Sequence, residues 1–228
     1  IEPVGAQEKP QQAPQDSSGL PITVDLLPVG HALRPGARIE PRYITVHSTA
    51  NTNKGADALA HARYLRNGAG GRKVSWHYTV DDRRIVQHLP IDEMGWHAGT
   101  SAGNSQSIGI EICENADGDA EKAVDLAARL VAHLCRILGL RLDAVVPHQH
   151  WSGKHCPRLI LERPGGWQAF VNRVAGYLGG ESVDVPDGVM GQKGPAVVAV
   201  QRLLNRRHGA SLSEDGVWGP KTDAAYRA

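Results

Sequence analysis

The sequence predicts an α/β layer fold, and three observations carry that expectation. Short runs rich in β-branched and apolar residues recur along the chain at Tyr43–Val46, Ser75–Val80, Arg84–Leu89 and Ile108–Cys113. Between and after them lie stretches with apolar residues at helical spacing, the longest at Ala120–Leu138. Strands that alternate with helices bury their apolar faces most readily as helices layered on a sheet.

Taken in order, residues 1–19 are rich in Pro, Gln, Ser and Gly with almost no apolar content, which predicts a flexible leader. The first residue is Ile1, so the chain reads as a fragment or a processed product. The character changes at Leu20. Tyr43–Val46 predicts a buried strand ending at His47. Asp57 is placed to cap a helix over Ala58–Arg66, closed by Asn67-Gly68. Ser75–Val80 and Arg84–Leu89 flank Asp81-Asp82-Arg83 as a β-hairpin. Ile108–Cys113 predicts a further apolar strand. In Ala120–Leu138, residues Val124, Ala127, Ala128, Val131, Leu134, Cys135 and Leu138 share one face, and Gly139 is the stop. Trp167–Leu178 predicts a helix covering the sheet. Residues 20–178 therefore read as one domain, 179–186 as a linker, and 187–228 as a separate small helical module.

With 228 residues, 41% hydrophobic and 21% charged, the composition suits one good-sized core and a small second unit. A formal net charge of +1 argues against nucleic acid or an acidic membrane surface as bulk partner. No apolar run reaches the ~18 residues of a membrane span. Three cysteines are too few for a disulfide framework and leave a thiolate available to a metal.

The strongest local signal is His148-Gln149-His150-Trp151-Ser152-Gly153-Lys154-His155-Cys156, a turn-rich stretch that concentrates metal-ligating side chains. A catalytic zinc takes three protein ligands and keeps one open position, and imidazole with thiolate suits zinc among common ions. His47, at a strand end, can join His148 and Cys156 in such a site. His150 is the rival ligand, since His-x-His on a strand points both rings to one face. Cys113 and Cys135 fall on apolar faces and read as core. His133 is expected on the solvated side of its helix, and His31, His61, His88 and His208 at the surface. Glu111 is a lone charge in an apolar strand, an expensive placement unless it has a partner or a job.

Five stretches in order, YITVHSTAN (43–51), SWHYTVDD (75–82), GWHAG (95–99), SIGIEICEN (107–115) and HQHWSGKHCPR (148–158), resemble the type-2 N-acetylmuramoyl-L-alanine amidases. That family includes phage amidase lysozymes and shares its fold with peptidoglycan-recognition proteins. The resemblance covers about Leu20 to Leu178 and implies a central mixed β-sheet flanked by helices. It implies a Zn2+ cofactor on His47, His148 and Cys156, favouring His148 over His150 by its spacing from Trp-Ser-Gly-Lys. It assigns Glu111 as the catalytic carboxylate, Lys154 as the oxyanion donor, and Trp76, His77, Trp96 and His97 to the substrate groove. The implied reaction is hydrolysis of the amide between N-acetylmuramic acid and L-alanine, by a monomer acting in the cell wall or outside the cell, secreted or released by a phage.

The tail resembles a three-helix peptidoglycan-binding module through Gly194, Val197, Gln201, Leu204, Asn205, Asp215, Gly216, Gly219, Pro220 and Thr222. The chain ends at Ala228, inside the expected last helix, so the module reads as truncated. Rival readings are a non-catalytic wall sensor on the same fold, a recycling amidase that carries aspartate where Cys156 stands, and a zinc hydrolase built on His148 and His150.

Overall fold

A computed structural model describes residues 19–179 and 193–227. The expected leader, apart from its last residue, and the expected linker, apart from Gly179, lie outside the described residues. Six strands form one mixed sheet in the order β1-β4-β3-β5-β2-β6: β1 (Ile22–Val24), β2 (Tyr43–Ser48), β3 (Tyr78–Val80), β4 (Ile85–Gln87), β5 (Ser107–Ile112) and β6 (Val145–Pro147). Only the β3–β4 hairpin is antiparallel; every other neighbouring pair is parallel. A mixed sheet flanked by helices is the expected fold class. The edge strands β1 and β6, three residues each, lie outside any run that the residue pattern marked.

Helix α1 (Ala58–Arg66) starts where expected, with Asp57 Oδ1 accepting from the Ala60 amide at 2.8 Å. Helix α2 (Ser101–Gln106) is a short turn capped by the Thr100 hydroxyl. Helix α3 (Ala120–Leu138) opens on Asp119 and closes on Gly139, whose φ of 59° is the left-handed stop that glycine accepts without strain. Leu130, Leu134 and Leu138 on its inner face are fully buried against Ile44, Ile108 and Ile110 of the central strands. Two short helices, α4 (Gln149–Ser152) and α5 (Arg158–Leu161), follow β6, and α6 (Gly166–Gly179) packs Phe170 and Val174 into the same core.

Two helices, α7 (Pro195–His208) and α8 (Pro220–Arg227), make up the C-terminal unit among the described residues. Gln201 is its hub. Its amide nitrogen donates to Asp215 Oδ1, the Val217 carbonyl and Thr222 Oγ1, and its oxygen accepts from the Gly216 amide. The unit is docked on the sheet domain: Ala199 and Leu203 join the main core, and Arg202 meets the fully buried Asp92 at 2.9 Å beside Arg38. His133, expected on the solvated side of α3, is buried there instead, because the Tyr226 hydroxyl lies 2.6 Å from its Nδ1. His61 and His88, expected at the surface, are buried too. His61 Nδ1 donates to the Asp57 carbonyl at 2.9 Å, and His88 Nε2 lies 2.8 Å from Thr79 Oγ1.

Candidate metal centre

Parallel strands bring their carboxyl-terminal ends to one edge of a sheet, which is where open α/β sheets place their ligands. Here β2, β5 and β6 do so. His47 sits next to last on β2, Glu111 next to last on β5, and His148 directly after β6, its amide donating to the Val46 carbonyl. Cys156 returns to this edge after α4, held by the Gln149 amide on its carbonyl.

His47, His148 and Cys156 are buried, and one ligand atom from each lies within 4.8 Å of the others. His47 Nδ1 is 3.0 Å from His148 Nδ1 and 4.0 Å from Cys156 Sγ. Among the described residues this is the one such cluster of three His, Cys, Asp or Glu groups. His150, the rival ligand, is exposed on α4 and outside the cluster.

The protons of this cluster follow from its fixed partners. His97 Nε2 lies 3.3 Å from the Ser107 carbonyl, which can only accept, so that nitrogen carries the hydrogen. His97 Nδ1 is then the acceptor for His47 Nε2 at 3.0 Å, which leaves His47 Nδ1 bare. The His148 ring lies beside the Ala98 backbone, and its Nδ1 faces that bare nitrogen at 3.0 Å. Burial, the largest cause, pushes His47 well below the ordinary histidine range, and pushes His148 down as well, so both rings are neutral. The two Nδ1 atoms, 3.0 Å apart and with Cys156 Sγ 4.0 Å from that of His47, converge as the ligands of one cation would. Burial raises the Cys156 thiol to about 11, with Glu111 adding to the effect and the Ser48 amide opposing it. A divalent cation reverses that logic and takes the thiolate.

Glu111 is half-buried, and its Oε2 is shielded from solvent without a hydrogen-bond partner. Burial raises its carboxyl to about 8, against the opposing pull of Lys154. Exposed Lys154 lines the same groove, whose volume is about 540 Å3. The far wall is built by His61, Tyr64, Arg72, Trp76 and Trp96. Trp76 is pinned there by Nε1–H donating to Thr79 Oγ1 at 2.7 Å. Lys73 Nζ stands 4.3 Å over the Trp96 ring.

Of the four residues expected in the groove, Trp76, Trp96 and His97 line it. His77 does not. It is wholly buried behind the groove, Nε2 donating to the Glu93 carbonyl at 2.8 Å and Nδ1 accepting from the Gly109 amide at 3.0 Å. With both nitrogens engaged, its ring ties the loop after β4 to β5 and has no free atom for a ligand. Asn104 escaped sequence reasoning altogether. Its Oδ1 accepts from the amides of both His97 and Ala98, at 2.9 and 2.8 Å, yet in sequence it is a lone Asn in a Ser, Ala and Gly run with nothing to mark it.

Comparison with known proteins places these residues in context. The sequence model described as N-acetylmuramoyl-L-alanine amidase matches residues 37–159. N-acetylmuramoyl-L-alanine amidase CwlH of Bacillus subtilis (strain 168) is 45% identical over 225 residues, covering 90% of this chain and 88% of that protein. N-acetylmuramoyl-L-alanine amidase XlyA of the same organism is 53% identical over 157 residues, 68% of this chain but 51% of its own length. The solved catalytic domain of XlyA superposes with a TM-score of 0.63 at 53% identity, over 67% of this chain and 98% of that one. The structure of PlyL matches at 31% identity and a TM-score of 0.60, over 68% of this chain and 96% of that one.

Proposed function

The chain belongs to the N-acetylmuramoyl-L-alanine amidase family, and from that premise we propose that it hydrolyses the amide between N-acetylmuramic acid and L-alanine in bacterial peptidoglycan, with zinc held by His47, His148 and Cys156. The observation that carries the reading is the shared focus of two imidazole nitrogens and one thiol beside the unpartnered carboxyl of Glu111. The donor set fits zinc: imidazole nitrogen and thiolate sulfur are both ligands that zinc takes, and three protein ligands leave a position for substrate chemistry. Zinc bound there supplies a Lewis acid that polarises a carbonyl and brings the pKa of water toward ~7.

The residues divide the remaining work. Glu111 takes a proton at Oε2 as water adds to the lactyl carbonyl carbon. It returns that proton to the alanine nitrogen as the C–N bond breaks, so one carboxyl serves as base and then acid. Burial raises its carboxyl pKa, and a bound cation would draw it back down, leaving a carboxylate able to take that proton. Lys154 Nζ supplies positive charge at the mouth of the site for the developing oxyanion. Trp76 and Trp96 offer flat apolar faces to the glycan or stem peptide.

The C-terminal helices, with the Gln201 hub and the Asp215-Gly216 turn, are proposed as the wall-binding unit. A weak wall binder on the same chain raises the effective concentration of the enzyme on an insoluble substrate. No helix among the described residues is long and apolar enough to cross a membrane. We place the site of action at the wall, reached by secretion or by phage release, and the working form as a monomer.

Digestion of purified cell walls tests the reaction. New L-alanine amino termini without new reducing sugars are expected, with activity lost on chelation and restored by zinc. Reducing sugars in place of amino termini would make the enzyme a glycosidase and end this reading.

A further inference from the structure

The segment from Trp96 to Gly99 touches the metal cluster twice, and neither contact is with a substrate. The His97 ring meets His47 Nε2 at 3.0 Å, edge to face at 5.1 Å between centroids. Two residues on, Gly99 lies against the other ring, where a Cβ would stand 3.8 Å from His148 Nε2. Two side chains hold the loop: Asn104 Oδ1 accepts from the His97 and Ala98 amides together, and Ser75 Oγ accepts from the Trp96 amide at 3.2 Å. The His97 ring cannot drift. It lies on Gly109 so closely that a Cβ there would stand 2.6 Å from its Cγ, and its far nitrogen is tied to the Ser107 carbonyl.

We propose that His97 and Asn104 are positioning residues of the metal centre. His97 fixes the His47 tautomer that presents Nδ1 to zinc, and Asn104 locks the loop that carries His97. The proposal rests on the zinc reading of His47, His148 and Cys156. A histidine ligand needs its second nitrogen to give a hydrogen to a fixed acceptor; the usual acceptors are a carboxylate, a carbonyl or water. For His47 the acceptor is another imidazole, and the chain of donation runs His47 Nε2–H to His97 Nδ1, then His97 Nε2–H to the Ser107 carbonyl. The end of that chain is backbone, so the direction of every proton along it is set by a group that cannot titrate. His97, expected in the substrate groove from its motif, thereby gains a role directed at the metal. Asn104 gains one without touching a ligand at all.

Zinc affinity of the full chain, measured by competition with a chromophoric chelator after metal removal, tests this independently of activity. His97→Leu keeps the approximate size and removes the acceptor; it is expected to weaken zinc binding about 10- to 100-fold. His97→Asn places a carboxamide oxygen near the position of Nδ1 and should return most of that affinity, which a purely packing role would not do. Asn104→Leu should weaken zinc binding in the same direction, and Asn104→Asp, which keeps the accepting oxygen, should not. His97→Leu protein that binds zinc as tightly as the wild type would overturn the proposal while leaving the metal centre standing. Equal weakening by His97→Leu and His97→Asn would overturn the tautomer role. Wild-type protein that binds no zinc, or binds it equally well after His47→Ala, would overturn the metal reading itself.

Discussion

His47 and Glu111 are register partners on the adjacent parallel strands β2 and β5. In-register residues of neighbouring strands project from the same face about 4.8 Å apart, so the proposed ligand and the proposed base are set side by side by the sheet itself. Glu111→Gln preserves that shape and removes the base. Turnover on cell wall should fall by about 10²- to 10⁴-fold while metal analysis finds the zinc content unchanged. Turnover near the wild-type level would place the base elsewhere.

Cys156→Ser exchanges a soft thiolate for a hydroxyl that rarely ionises. Zinc should be lost on dialysis that the wild type survives, and added zinc should restore activity only at higher concentration. Retention of one zinc per chain through the same dialysis would remove Cys156 from the ligand set.

Lys154 acts, in this reading, on charge that develops only during the reaction. Lys154→Met should therefore lower kcat by about 10²- to 10³-fold with KM little changed. A rise in KM at constant kcat would instead make Lys154 a substrate-binding group.

Buried neutral histidines give the fold a pH limit. Burial is the largest cause of the depression of His77 to about 4 and of His88 to about 3, from an ordinary 6.5. Between those values and 6.5 the unfolded chain binds protons that the folded chain excludes, so stability rises with pH across that window. The contribution is complete above about pH 6.5 and is lost as the pH falls toward 3. Thermal melts should decline on acidification through this range, and His88→Gln should flatten the decline. An unchanged slope in His88→Gln would mean that His88 titrates normally.

Leu203 of α7 is fully buried and belongs to the core that α3 shares with the sheet. Leu203→Ala should destabilise by about 2–5 kcal/mol, visible as a shift in the unfolding transition of the whole molecule. If the sheet domain melted as before and only a small separate transition moved, the two units would be thermodynamically independent.

Where the sequence was legible, local chemistry and tertiary packing agreed. The capped helices α1 and α3 run over the residues expected, because Asp57 and Gly139 mark ends that need no distant partner. The hairpin turn and the placement of His47 near a strand end were equally local. Three-residue strands such as β1 and β6 carry too little pattern to be seen, and exist because longer neighbours pair with them. The histidines misread as solvated show the same limit from the other side. His88 is sequestered with Thr79 and Trp76, and His133 by Tyr226, 93 positions away. His77 and His97 look alike in sequence, each following a tryptophan, yet one fastens backbone and the other reaches a proposed metal ligand. His77 directly precedes β3, whereas His97 lies on the loop between β4 and α2.

The way the cleft is assembled also bears on how such enzymes diversify. The proposed hydrolytic groups ride mainly on the ends of three hydrogen-bonded strands, whereas His61, Tyr64, Arg72 and Trp76 come from α1 and the stretch that follows it. That stretch can be lengthened, shortened or recoded without disturbing strand register. Variation in that wall of the cleft would leave in place the strand ends that carry the proposed hydrolytic groups.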